Sequence, residues 1–169
     1  MPNRKVQPVH FEDLDGHEFE RLVFAYLLRT DNWISIEWYG QVGADSGRDI
    51  WGVRERDTYR AGERVCVQCG NGKALTFSKL QEDVKKIVSG PYGKPDAFIG
   101  VSGGTVSAQF RDKAKSLLKQ NDVYNCQIWS AEEFEERLRH KAETLLKRFV
   151  DGEAFPDTPD ELRALAQSS

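Results

Sequence analysis

The stretch from Gly43 to Asn71 constrains this chain more than any other. Arg48 to Val53 carries Ile50, Trp51 and Val53, while Val65 to Cys69 alternates apolar and polar positions, so each half reads as a short strand. The RERDTYRAGE segment between them is charged, holds one glycine and suits an exposed loop. Together they predict an antiparallel hairpin, with Asp49 near the start of one strand and Gln68 near the end of the other. Antiparallel geometry sets those two positions side by side at one end of a sheet. Side chains alternate across a strand, so Cys66, Gln68 and Gly70 share one face and Val65, Val67 and Cys69 the other. Cys66 and Cys69 form a C-x-x-C, but zinc or redox chemistry needs both sulfurs on one side. With only Cys126, His10, His17 and His140 as further ligands, buried core cysteines are the expectation.

The rest of the chain supplies helices around this hairpin. Residues 1 to 13 read as a flexible arm. Asp15 is a candidate N-cap, with Glu18 three residues on, for a helix running to about Arg29. Phe19, Leu22, Val23, Tyr26 and Leu27 make its core-facing stripe. Glu20 has Val23, Phe24 and Leu27 at i+3, i+4 and i+7. A carboxylate in such surroundings either reaches solvent by its own length or is held there by a partner or cation. Asn32 to Tyr39 predicts the first strand, and Gly40 to Gly47 a glycine-rich loop, where Gly43 and Gly47 let Asp45 and Asp49 approach a ligand. After a turn at Asn71-Gly72-Lys73, the pattern predicts a helix over Thr76 to Val88, a strand over Asp96 to Val101 and a helix over Val106 to Leu118. A strand over Tyr124 to Trp129 precedes a last helix capped by Ser130 and Glu133, with Phe134, Leu138, Leu145, Leu146 and Phe149 as its apolar positions. Gly103-Gly104 lacks the pattern of a phosphate loop and reads as a strand-to-helix turn. The tail from 151 to 169 holds a short helix at most. The order α-β-β-β-α-β-α-β-α predicts an α/β fold, a mixed sheet flanked by helices, in one domain over 14–150.

Composition bounds the function. With 169 residues, 39% hydrophobic and 30% charged, the chain can bury a single core. Its longest apolar run, Leu22 to Leu28, is far short of a membrane span, so no membrane partner is expected. The amino terminus has no apolar signal segment and the cysteine number is odd, which together point to the cytoplasm. A net charge of −3 argues against indiscriminate nucleic-acid binding. Between Lys73 and Lys119, however, basic residues outnumber acidic ones. Lys73, Lys79, Lys85 and Lys86 are the candidate phosphate contacts.

Three short motifs stand in order: Phe19-Glu20 on the first helix, Asp45-Ser46-Gly47-Arg48-Asp49, and Val67-Gln68-Cys69-Gly70. They resemble the catalytic hairpin of the PD-(D/E)XK nuclease superfamily, and within it the helix–FE–D.G.D–Q.K pattern of Mrr-like restriction endonucleases, over roughly Phe11 to Leu138. The resemblance implies a restriction-endonuclease-like fold and a metal-dependent endonuclease that cleaves DNA phosphodiester bonds in defence against foreign DNA. It also implies Mg²⁺ or Mn²⁺ as cofactor, with Asp49 the central ligand, Glu20 a helix ligand and Gln68 a neutral carbonyl ligand. The partners to expect are double-stranded DNA, a second copy of the chain and a partner defence protein. Gly70 departs from the pattern, because the family carries a lysine there that orients the attacking water and offsets phosphate charge. The activity implied is therefore impaired. Lys73 and Lys79 are the candidates to replace the lysine, and silencing of the enzyme is the other reading. Two different classes stand beside this one: a non-catalytic DNA-binding or assembly module on the same fold, and a scaffold whose Phe155 to Ala166 tail docks a partner.

Overall fold

The computed structural model describes residues 8–40, 49–57, 59–70 and 76–150. Gly43, Asp45, Gly47, the turn containing Lys73, and the 151–169 tail lie outside the described residues. Helix α1 spans Gly16–Thr30, and Asp15 caps it as expected, accepting the Glu18 N–H at 2.7 Å. Its predicted stripe is the buried one: Phe19, Leu22 and Val23 are fully enclosed and Tyr26 and Leu27 nearly so.

Five strands form one mixed sheet in the order β1-β2-β3-β4-β5. They are β1 (Trp33–Trp38), β2 (Ile50–Arg56), β3 (Tyr59–Gly70), β4 (Ala97–Ser102) and β5 (Asn125–Trp129). The first three run antiparallel and the last three parallel. Helices α2 (Phe77–Ser89) and α3 (Ala108–Gln120) are the crossovers between the parallel strands. The strand order advances in one direction, so two right-handed crossovers lay both helices on the same face. The packing agrees. Leu80, Val84, Ile87, Ala114 and Leu118 cluster with Trp51, Cys66, Phe98 and Ile128 on one side. On the other side, α1, α4 (Ala131–Lys141) and α5 (Thr144–Phe149) cluster with Ile50, Val65, Val67, Ile99 and Val101. The result is a three-layer α/β/α arrangement in which the sheet separates two cores.

Three expectations are corrected. The first concerns RERDTYRAGE, which is mostly strand rather than exposed loop. Arg54 and Glu63 sit opposite each other in the β2–β3 register and are only 7% and 4% exposed. Arg54 donates from Nε to Glu63 Oε1 at 2.5 Å and from Nη1 to Asp31 Oδ2 at 3.2 Å, while Arg56 holds both Asp31 oxygens. A charge facing its opposite across a ladder loses most of the penalty that burial would impose on it alone.

The second correction concerns the amino-terminal arm. Phe11–Asp13 forms a 3-10 turn, and Phe11 is fully buried with its ring 5.7 Å from Phe19 and 5.4 Å from Phe134. The Val9 N–H donates to Glu135 Oε1 at 2.6 Å, so residues 9–13 belong to the core layer. The third is the last helix, which breaks at Ala142 (φ −153°, ψ 46°) into α4 and α5. The capping box at Ser130 and Glu133 is present in both halves. The break lets Leu145 and Leu146 both turn into the α1-side core, where they are 0% and 7% exposed.

Candidate functional site

Two of the predicted site residues meet at one end of the sheet. Glu20 lies on the second turn of α1, half-buried, and its Oε1 accepts the Trp38 Nε1–H at 3.2 Å. Asp49 is 8% exposed and immediately precedes β2. Its backbone joins the sheet: the Asp49 N–H donates to Val67 O at 3.2 Å, and Asp49 O accepts from Tyr39 and Gly40 N–H groups at 2.7 and 3.2 Å. Its Oδ2 accepts the Cys69 N–H at 2.6 Å. Gly40 marks where the two carboxylates converge. A Cβ there would stand 2.1 Å from Glu20 Oε1 and 3.5 Å from Asp49 Oδ1. The absence of a side chain at position 40 is what lets Glu20 Oε1 reach this point, while Asp49 Oδ1 stands at ordinary contact distance from it.

Cys69 lies beneath the pair. Burial pushes its thiol well above the ordinary range, and the charges of Asp49 and then Glu20 push it further. A thiol held up in this way favours its protonated form. Cys66 and Cys69 pack into opposite cores, as strand alternation predicts, and all three cysteines are free thiols. Cys126 is buried enough to be pushed up to about 11.

Gln68 is next on the ladder. The Ile50–Val67 pair puts Asp49 opposite Gln68 one step further on, but Gln68 follows Cys66 onto the α2/α3 face while Cys69 faces α1. Gln68 is 6% exposed, and among the described residues its Nε2 is buried without a hydrogen-bond partner, a state that costs about 1–3 kcal/mol when left unmet. Gly70 ends β3, buried, paired in register with Ser102 and accepting the Gly103 N–H at 2.7 Å. Because β3, β4 and β5 are parallel, the amino termini of α2, α3 and α4 all follow strand ends on this same side, an arrangement that favours anions. Lys79 is exposed in the first turn of α2, near this end. Lys85 and Lys86 are exposed too, roughly 9–11 Å further along the helix axis.

The donor set fits a hard divalent cation that takes one or two carboxylates and completes its shell with water and substrate. Glu20 and Asp49 converge at Gly40, while Gln68 follows Cys66 onto the α2/α3 face of β3. Among the described residues, no group of three or more His, Cys, Asp and Glu side chains is placed to enclose a metal by protein alone. Trp38 and Gly40 shape the site and were not singled out from the sequence, while Cys69 was read there only as a core cysteine. Gly40 reads there only as the start of a loop, since nothing local says that a helix carboxylate will lie against it. No family model, curated protein or solved structure matches this chain.

Proposed function

We propose that this domain is a metal-dependent DNA endonuclease of the PD-(D/E)XK, Mrr-like type, impaired by Gly70 and serving in defence against foreign DNA. The observation that carries the reading is the meeting of Glu20 and Asp49 at Gly40. A helix carboxylate and a strand-entry carboxylate are brought to one point at the sheet end where three helix amino termini also open. Bound there, Mg²⁺ or Mn²⁺ would stabilise charge on a phosphodiester and lower the pKa of a water. The chain's own contribution is positional. Cys69 N–H fixes one oxygen of Asp49, and Trp38 Nε1–H steadies Glu20. Gln68, opposite Asp49 on the β2–β3 ladder, would offer the cation its carbonyl oxygen. Lys79, Lys85 and Lys86 line the approach of double-stranded DNA. The domain cuts as one member of a homodimer or beside a partner defence protein.

A second reading, a non-catalytic DNA-binding or assembly module, is favoured by Gly70 itself, since the position two residues after Gln68 carries no side chain to orient a water. One series separates the two. Calorimetric titration of Mg²⁺ and Mn²⁺ should show a site in the wild-type chain that Asp49→Ala loses. Gly70→Lys should raise metal-dependent cleavage of duplex DNA by about 10²–10⁴-fold, the usual worth of a positioned acid–base group. Asp49→Ala in the Gly70→Lys background should abolish the gain. Metal and DNA binding without cleavage in a folded Gly70→Lys protein would put the module reading ahead, and no metal site in the wild type would remove the nuclease reading.

A further inference from the structure

A cleft of about 290 Å³ opens on the α1 side of the sheet, lined by residues from the carboxyl-terminal halves of α1 and α4. Arg54, Ile99, Gln127 and Trp129 line it from the strands. It lies away from the carboxylates, because Thr30 on its lining is ten residues along α1 from Glu20, about 15 Å of helix. Its volume is near the lower limit of small-molecule sites.

The lining carries donors in excess of acceptors. Asp31 is the only carboxylate on it among the described residues, and Arg54 and Arg56 already hold both of its oxygens. Glu63 balances the second charge of that arginine pair. On α4, Arg137, His140 and Lys141 stand at i, i+3 and i+4 and share one face. None of the three has an ion pair or side-chain hydrogen bond among the described residues. Basic residues in a last helical turn complement the helix dipole, but Arg137 stands a turn earlier. Its guanidinium lies 4.2 Å from the Trp129 ring centroid, which fixes its plane and leaves its N–H fork to a partner.

Two neutral donors join these cations. Trp129 Nε1–H fills the Gln127 carbonyl oxygen at 3.0 Å, and the Gln127 NH₂ has no partner among the described residues. Tyr26 is 4% exposed and lines the cleft, yet its hydroxyl is neither hydrogen-bonded nor sealed from solvent among the described residues. A phosphate monoester carries about −1.5 to −2 charge and three strong acceptor oxygens. That matches two fixed cations with neutral donors beside them better than a carboxylate, with two oxygens and one charge, would.

We propose that this cleft binds a small phosphate monoester, its phosphate held by Arg137 and Lys141 with Tyr26 and Gln127 donating to the remaining oxygens. The proposal is independent of the nuclease reading.

The test is titration calorimetry of the full chain with inorganic phosphate, adenosine 5′-monophosphate and, as the control without phosphate, adenosine. Wild type should bind the two phosphates and not adenosine. Arg137→Ala, at an exposed position, should weaken binding about 10- to 150-fold, the worth of hydrogen bonds to a charged group. Tyr26→Phe keeps the ring in the core and should lose about 2- to 12-fold, the worth of one neutral hydrogen bond. Lys119→Ala removes an equal charge from α3 on the other side of the sheet and should leave affinity unchanged. No binding of either phosphate at millimolar concentration, or adenosine binding as well as its monophosphate, would overturn the proposal. So would equal losses in Arg137→Ala and Lys119→Ala, which would mean attraction by surface charge alone. Wild-type affinity in both Arg137→Ala and Tyr26→Phe would place the phosphate elsewhere and overturn it too.

Discussion

At the scale of single residues, Gly40 shows how little space separates a packing position from a chemical one. Any side chain there would meet Glu20 Oε1 at 2.1 Å, but the obstructed atom is the far end of a flexible carboxylate rather than backbone. Gly40→Ala should therefore swing Glu20 aside at small cost to folding, within about 1 kcal/mol. Metal affinity measured by calorimetry should fall at least tenfold, with the unfolding midpoint nearly unchanged. A variant that kept wild-type metal affinity would mean Glu20 is not a ligand. Asp31 makes a different residue-scale statement. Burial opposes its ionisation, but hydrogen bonds and charge from Arg56 and then Arg54 outweigh that and hold its carboxyl below the ordinary range. A depressed carboxyl adds stability that is fully present above the unfolded value of about 3.9 and is lost as pH falls through the lower folded value. Thermal unfolding followed from pH 5 downward should show this loss in the wild type and a shallower slope in Asp31→Asn.

At the scale of elements, the capped helices and the β2–β3 hairpin divide the work. Asp15, Thr76, Ser107 and Ser130 each accept a backbone N–H at a helix start. The caps at Asp15 and Ser130 were legible because they are local: an Asp or Ser followed by the right period needs no knowledge of the rest of the chain, whereas Thr76 and Ser107 read as part of their helices. The 3-10 turn at Phe11 was not legible. Its aromatic partners Phe19 and Phe134 are distant in sequence, and only their meeting buries it. Phe11→Ala should cost about 3–5 kcal/mol, as for other fully buried phenylalanines, and denaturant unfolding would measure it. A loss below 1 kcal/mol would return residues 9–13 to the status of a loose arm. Arg54 and Glu63 fall under the same rule. As sequence they are ordinary loop charges; as register partners they are a buried ion pair. Glu63→Ala should cost about 3–5 kcal/mol by leaving Arg54 buried beside Asp31 alone.

At the scale of the whole molecule, the sheet is a wall between two cores, and the candidate site sits at its end, where α1 and the parallel strand ends approach the same edge. Alternation in Val65 to Cys69 and the apolar stripe of α1 were enough to foresee the hairpin, the opposite faces of Cys66 and Cys69, and a mixed sheet flanked by helices. These follow from the sequence alone because period 2 and period 3.6 are properties of a few adjacent residues. Which residues face one another across the fold is set by distances that no local pattern encodes. Only the tertiary structure brings Glu20 to Asp49 over Gly40 and lays Tyr92 over Trp51. Each of those contacts joins segments whose relative placement depends on register and layer packing, and a shift of one residue in either would undo it.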